Sequence, residues 1–82
     1  MEWPDWWEWD IEVSSHCGKR MHERVFNETD LRAILSEAIA ITEQAHGTFV
    51  VSSSHENKPW EVIVVPDFEK QLIVVISAYP LS

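Results

Sequence analysis

From Trp7 onward the chain alternates. Trp7, Trp9, Ile11 and Val13 share one parity, and Glu8, Asp10 and Glu12 share the other. A period of two with apolar groups on one side marks a half-buried strand with an acidic outer face. Residues 1–4 precede it as an irregular start, because Pro4 disfavours helix at Trp3. Ser14 and Ser15 then offer a helix N-cap. Over residues 15–25 the period lengthens. Cys17, Met21 and Val25 recur at i, i+4 as an apolar stripe. His16, Arg20 and Arg24 recur at the same spacing as a polar stripe about 100° away. Gly18 weakens this helix by about 1 kcal/mol relative to alanine.

A second helix is expected from Asn27 or Thr29, with Glu28 and Asp30 at the positive end of its dipole. Leu31, Ile34, Leu35, Ala38, Ile41 and Ala45 follow the helical period, and Gly47 is the expected C-cap. Three strands follow, over 48–53, 60–65 and 71–79. Their short connections favour an antiparallel meander. Residues 62–65 and 72–76 are apolar at both parities, so these strands are central or covered on both faces. The helices can cover one face, and the Trp-rich arm or a partner chain the other. The order β-α-α-β-β-β predicts an α+β domain with two N-terminal helices packed on a small antiparallel sheet.

Composition narrows this picture. The 82 residues allow one domain, residues 1–82, with an acidic Trp-rich arm at 1–13. A single cysteine, Cys17, excludes an internal disulfide and a four-thiolate zinc site. No apolar run approaches the roughly 20 residues that span a bilayer, so no membrane association is expected. No basic residue precedes Lys19, so no signal peptide is read and a cytoplasmic location is expected. The formal net charge is −8, which opposes broad, salt-driven coating of nucleic acid. The charge is uneven. Residues 1–18 hold Glu2, Asp5, Glu8, Asp10 and Glu12 and no base, whereas Lys19, Arg20 and Arg24 sit together just beyond. A small site for a few phosphates is therefore compatible with the overall charge.

Candidate chemistry is sparse. With only Gly18 and Gly47, the chain has no phosphate-binding glycine loop. His16, Cys17, His22, His46 and His55 are spaced badly for one metal: adjacent residues diverge on a helix. No metal and no cofactor are expected. The stripe of His16, Arg20 and Arg24 is the better candidate. Guanidiniums one turn apart can fork onto a phosphodiester, and imidazole moves protons near neutral pH. Such a set suits metal-independent RNA cleavage, although solvated charged helix faces are commonplace. Ser77 and Tyr79 finish the last apolar strand with hydroxyls on one parity, opposite to Leu72, Val74, Ile76 and Ala78. His55, ahead of the Trp60 strand, can reach the same end.

Several separated blocks carry a family resemblance. They are His16-x-x-x-Arg20-Met21-x-x-Arg24 after a Trp-rich start, Thr29-Asp30-Leu31, Val50-Val51, His55, Trp60-Glu61-Val62-Ile63-Val64, Pro66-Asp67, and Leu72 through Pro80. Roughly from Trp6 to Pro80, the chain resembles a widespread family of short, uncharacterised bacterial proteins, a domain of unknown function. That family is similar in layout to RelE- and BrnT-like toxins and to the barnase/EndoU/colicin/RelE-like fold. The resemblance nominates His16, Arg20, Arg24, His55, Ser77 and Tyr79 as catalytic. It implies RNA as substrate and a cognate antitoxin-like protein as partner. Relatives are more basic where this chain reads Ser52-Ser53-Ser54, which removes cations that RNA cleavage would use. The competing expectation is a non-catalytic interaction module, or a homodimer, docking through the Trp-rich arm and the sheet.

Overall fold

Five strands form one mixed sheet in the computed structural model, which describes residues 3–15, 19, 27–45 and 47–81. A short 3-10 turn (Asp5–Glu8) leads into β1 (Asp10–Val13). Helix α1 (Glu28–Ser36) follows, then β2 (Ala40–Ala45), β3 (Thr48–His55), β4 (Lys58–Asp67) and β5 (Leu72–Pro80). The sheet order is β1-β5-β4-β3-β2. β2 through β5 are antiparallel neighbours, and β1 lies parallel to β5 with Asp10 opposite Leu72 and Val13 opposite Val75.

This corrects the expected architecture of two N-terminal helices on a small antiparallel sheet. Among the described residues one α-helix is delimited, and the sheet is larger, with a parallel edge. Of the helix expected over 15–25, only Ser15 and Lys19 are described, both exposed; its apolar and polar stripes lie outside the described residues. The second expected helix starts where Asn27 predicts. The Asn27 side chain accepts from the Asp30 amide at 3.0 Å while Asp30 accepts from the Asn27 amide at 3.1 Å, closing a reciprocal capping box. That helix ends at Ser36, whose hydroxyl donates to the Ala33 carbonyl at 2.8 Å. Residues 40–45 are then strand instead of helix. Ile41 pairs with Val51 and Thr42 with Val50, giving β3 a hydrogen-bonded neighbour on its second side. Gly47, with φ +80°, lies in the β2–β3 turn and caps no helix.

The other hairpins are locally encoded. Glu56 and Asn57 have φ of 52° and 65°, the paired left-handed geometry of a tight two-residue hairpin. Asp67 closes the β4–β5 turn by accepting from the Glu69 and Lys70 amides.

The core occupies one side of the sheet. Leu31, Ile34 and Leu35 of α1 pack with Val51, Trp60, Val62, Val64, Ile73, Val75 and Ala78. Trp6 joins them, with its ring 5.1 Å from that of Phe49. The Trp-rich arm thus covers the same side as the helix, and Trp7, Trp9, Ile11 and Val13 pack at its margin. The Ser53 hydroxyl, buried, donates to the Ile34 carbonyl and ties β3 to α1. No helix among the described residues is long and apolar enough to cross a membrane.

The sidedness has a measurable consequence. Ile34 is 0% exposed, and Ile34→Ala is expected to lower unfolding free energy by about 2–5 kcal/mol. Ile63, half-buried on the opposite side, is expected to lose less as Ile63→Ala, because less apolar surface is withdrawn from water there. Urea denaturation of the two variants measures both. Equal losses would contradict a core on one side only.

Candidate functional site

The side of the sheet away from α1 carries the hydroxyls predicted from sequence, for a reason periodicity alone does not reveal. Along β5, Ile73 and Val75 are buried against the core. Strict alternation would put Ser77 and Tyr79 beside them. The β4–β5 register instead slips: Ile63 faces Ser77, but Val64 faces Val75. Ile76 is the extra residue of a β-bulge, and it reverses the parity of everything after it. Ala78 therefore enters the core at 1% exposure, while Ser77 and Tyr79 emerge on the other face with Leu72 and Val74.

On that face Tyr79 lies opposite Glu61. Its hydroxyl donates to Glu61 Oε1 at 2.7 Å. This hydrogen bond, then burial, then the negative charge of Glu61 raise the Tyr79 pKa above its ordinary value of 10.0. Ser77 is the next residue but one along β5, opposite Ile63. Glu61 was not nominated from sequence. It could have been found by laying β4 against β5, but only with the bulge already in hand.

His55 does not share this face. It follows Ser53 by two residues, hence the same parity, and Ser53 points at α1. The His55 ring stands edge-on to Trp60 at 6.3 Å, and Nε2 lies 4.0 Å from Glu56 Oε1. His16, Arg20 and Arg24 lie outside the described residues. So of the six nominated side chains, the described structure brings together Ser77 and Tyr79 and sets His55 on the opposite side. Among the described residues no group of three or more His, Cys, Asp or Glu side chains could hold a metal ion.

Around Tyr79 the face is apolar at its centre and acidic at its edge. Val50, Ile63, Val65 and Val74 are half-buried, and Ile76 is 36% exposed. Their neighbours on the covered side, Val51, Val62, Val64 and Val75, are each 0% exposed. Asp10 and Glu12 project from β1 on the open side, opposite in parity to Ile11 and Val13, and Asp67 ends the same row of β4 as Glu61. The described strand positions of this face include no Lys or Arg.

A family model for a domain of unknown function, DUF4258, matches residues 13–80. The chain belongs to the DUF4258 family. No curated protein and no solved structure gives a significant match. The DUF4258 span contains Glu61, Ser77 and Tyr79, α1 and four of the five strands, whereas Trp6, Trp7 and Trp9 precede it. The likeness to RelE- and BrnT-like toxins gains no support from the family match, which assigns no activity.

Tyr79 is the sole tyrosine, so its titration can be read directly from phenolate absorbance. The midpoint is expected above 10, and Glu61→Gln is expected to bring it back toward the ordinary value. The raised folded-state pKa fixes the sign of the stability effect. The contribution of the pair is whole below about pH 10 and is lost as pH climbs through the folded value. An unchanged midpoint in Glu61→Gln would contradict the hydrogen bond.

Proposed function

We propose that this DUF4258 domain is a non-catalytic interaction module whose open sheet face docks a partner protein. The observation that carries this reading is the exposure contrast between the two faces of one sheet. Val51, Val62, Val64 and Val75 are sealed at 0%, while Val50, Ile63, Val65, Val74 and Ile76 keep contact with solvent. A contiguous apolar strip with a polar rim is the anatomy of an interface.

The rim selects the partner's chemistry. Asp10 and Glu12 flank the strip on β1, and Glu61 and Asp67 stand at its two ends on β4. A second copy of this chain would bring identical carboxylates into opposition, which disfavours a face-to-face homodimer. A surface with an apolar stripe flanked by Lys and Arg is complementary on both counts. A helical peptide with leucines on one side and lysines on the other is the probe. It is expected to bind with an affinity that falls as salt rises, and to shift amide resonances of β4 and β5. Ile63→Ser and Val74→Ser are expected to weaken it at least about tenfold, in line with losing well-buried anchors. Binding that ignores both substitutions, or no binding, would overturn the reading.

A second reading keeps RNA as substrate and an antitoxin-like protein as regulator. The Tyr79–Glu61 pair beside Ser77 favours it, because a phenol and a carboxylate 2.7 Å apart can exchange a proton. Glu61 would take the proton of a 2′-hydroxyl, Tyr79 would protonate the departing oxygen, and His16, Arg20 and Arg24 would balance charge on the phosphorane. The acidic rim weighs against this arrangement, since it repels the phosphate backbone. Incubation of single-stranded RNA with the purified chain separates the readings. Under the nuclease reading, RNA is cut, and Tyr79→Phe and the Arg20→Ala/Arg24→Ala pair abolish the cut. Intact RNA after prolonged incubation with the wild-type chain leaves the interaction reading alone.

A further inference from the structure

Among the described residues, two separate pieces of the chain cover the core side, and a pocket lies at the seam between them. Helix α1 lies over β3, and the Asp5–Glu8 turn lies against β5. Between them is a pocket of about 200 Å³. Ile73 at 3% exposure and Leu35 at 7% make its floor with half-buried Ile11. The indoles of Trp7 and Trp9, each half-buried, line it from the arm, and Arg32 and Ser36, both exposed, line it from the helix.

The lining is selective. The pocket is somewhat larger than the engineered cavity of about 150 Å³ that takes up benzene. It therefore admits one ring and a small substituent. Trp7 stacks on Trp3 at 4.8 Å and Trp9 meets Phe68 at 5.3 Å, and both indoles also border the pocket, where they offer aromatic contact to a planar group. Among the described residues the lining contains one cation and no carboxylate. Arg32 directs both Nε and Nη2 at a single oxygen, Oε1 of Glu28, at 3.3 and 3.0 Å. That pair is exposed, 51% and 54%, and such i,i+4 pairs are weak and readily exchanged. The remaining guanidinium nitrogen, Nη1, makes no hydrogen bond to the described residues. The Ser36 hydroxyl already donates to Ala33, so it can only accept from a ligand.

We propose that this seam is a binding site for a small aromatic carboxylate, its ring in the pocket beside the Trp7 and Trp9 indoles and its carboxylate on Arg32. The site is independent of the open sheet face, which is on the other side of the strands. It is also a feature of this chain's own arm. Trp7, Trp9 and Ile11 precede the matched family span, while Arg32, Leu35, Ser36 and Ile73 lie within it. Asp5, Glu8, Asp10 and Glu12 of the arm are exposed, and charges more than about 8 Å apart are screened at physiological salt. A carboxylate on Arg32 interacts inside that distance.

The test titrates the full chain with three probes of similar size: phenylacetate, phenylacetamide and phenethylamine. The readouts are the indole N–H resonances of Trp7 and Trp9. Phenylacetate is expected to bind on the order of millimolar, as suits a ligand of so few atoms. Phenylacetamide keeps the ring and loses the charge, and is expected to bind about tenfold more weakly, a typical loss for a charge-assisted hydrogen bond. Phenethylamine is expected not to bind, because Arg32 repels it. Arg32→Gln, which preserves helix propensity, is expected to equalise phenylacetate and phenylacetamide while leaving the melting temperature nearly unchanged. Three results would each overturn the proposal: equal binding of acid and amide by the wild-type chain, preference for the amine, or no shift at Trp7 and Trp9 with tens of millimolar phenylacetate.

Discussion

A five-stranded sheet with a nine-residue helix poses a covering problem, and the rest of the structure follows from how it is met. Nine helical residues extend about 13 Å and present a width of about 10 Å. Five strands at about 4.8 Å spacing span about 19 Å from first to last. The helix alone cannot shield that area. The Trp-rich arm extends the cover, with Trp6 set into the core beside Phe49 and Trp7 and Trp9 packed at its margin. Both coverings go to the same side. The core is therefore dry on one side of β4 and β5, and the opposite side is left apolar but wet.

The bulge at Ile76 acts on top of this division. It lets one strand change its mind midway. Before it, β5 sends Ile73 and Val75 inward; after it, Ala78 goes inward and the hydroxyls go out. Without that extra residue, Tyr79 would point at the core and Glu61 would have no phenol to bind. A local irregularity of a single residue thus determines which chemistry the open face can display.

Much of this was legible from the chain, and the failures have distinct physical causes. The three C-terminal strands follow from β-branched runs and turn residues, and the capping box follows from Asn27 and Asp30. The 40–45 segment reads as helix in the sequence because Ala38, Ile41 and Ala45 satisfy a helical period as easily as they suit an edge strand. Pairing with β3, a contact distant from any local signal, decided it. The parity of Ser77 and Tyr79 was legible, but not the face, since a bulge leaves no mark in a run of Val and Ile. The destination of the arm was not legible either: alternation says that Trp9, Ile11 and Val13 share a side, not which side of which sheet. Of the nominated site, Ser77 and Tyr79 are neighbours, His55 is across the sheet, and Glu61 entered only once the register was known.

The parallel pairing of β1 with β5 joins the first strand made to the last. Asp10 finds Leu72 across most of the chain. At a synthesis rate of about 5–20 residues per second, roughly three to twelve seconds separate their appearance. Through that interval β1 and the Asp5–Glu8 turn lack β5, the strand that both lie against. Folding of this domain is therefore complete only after β5 has been made, and until then the aromatic arm is a hydrophobic surface presented to the ribosome's surroundings.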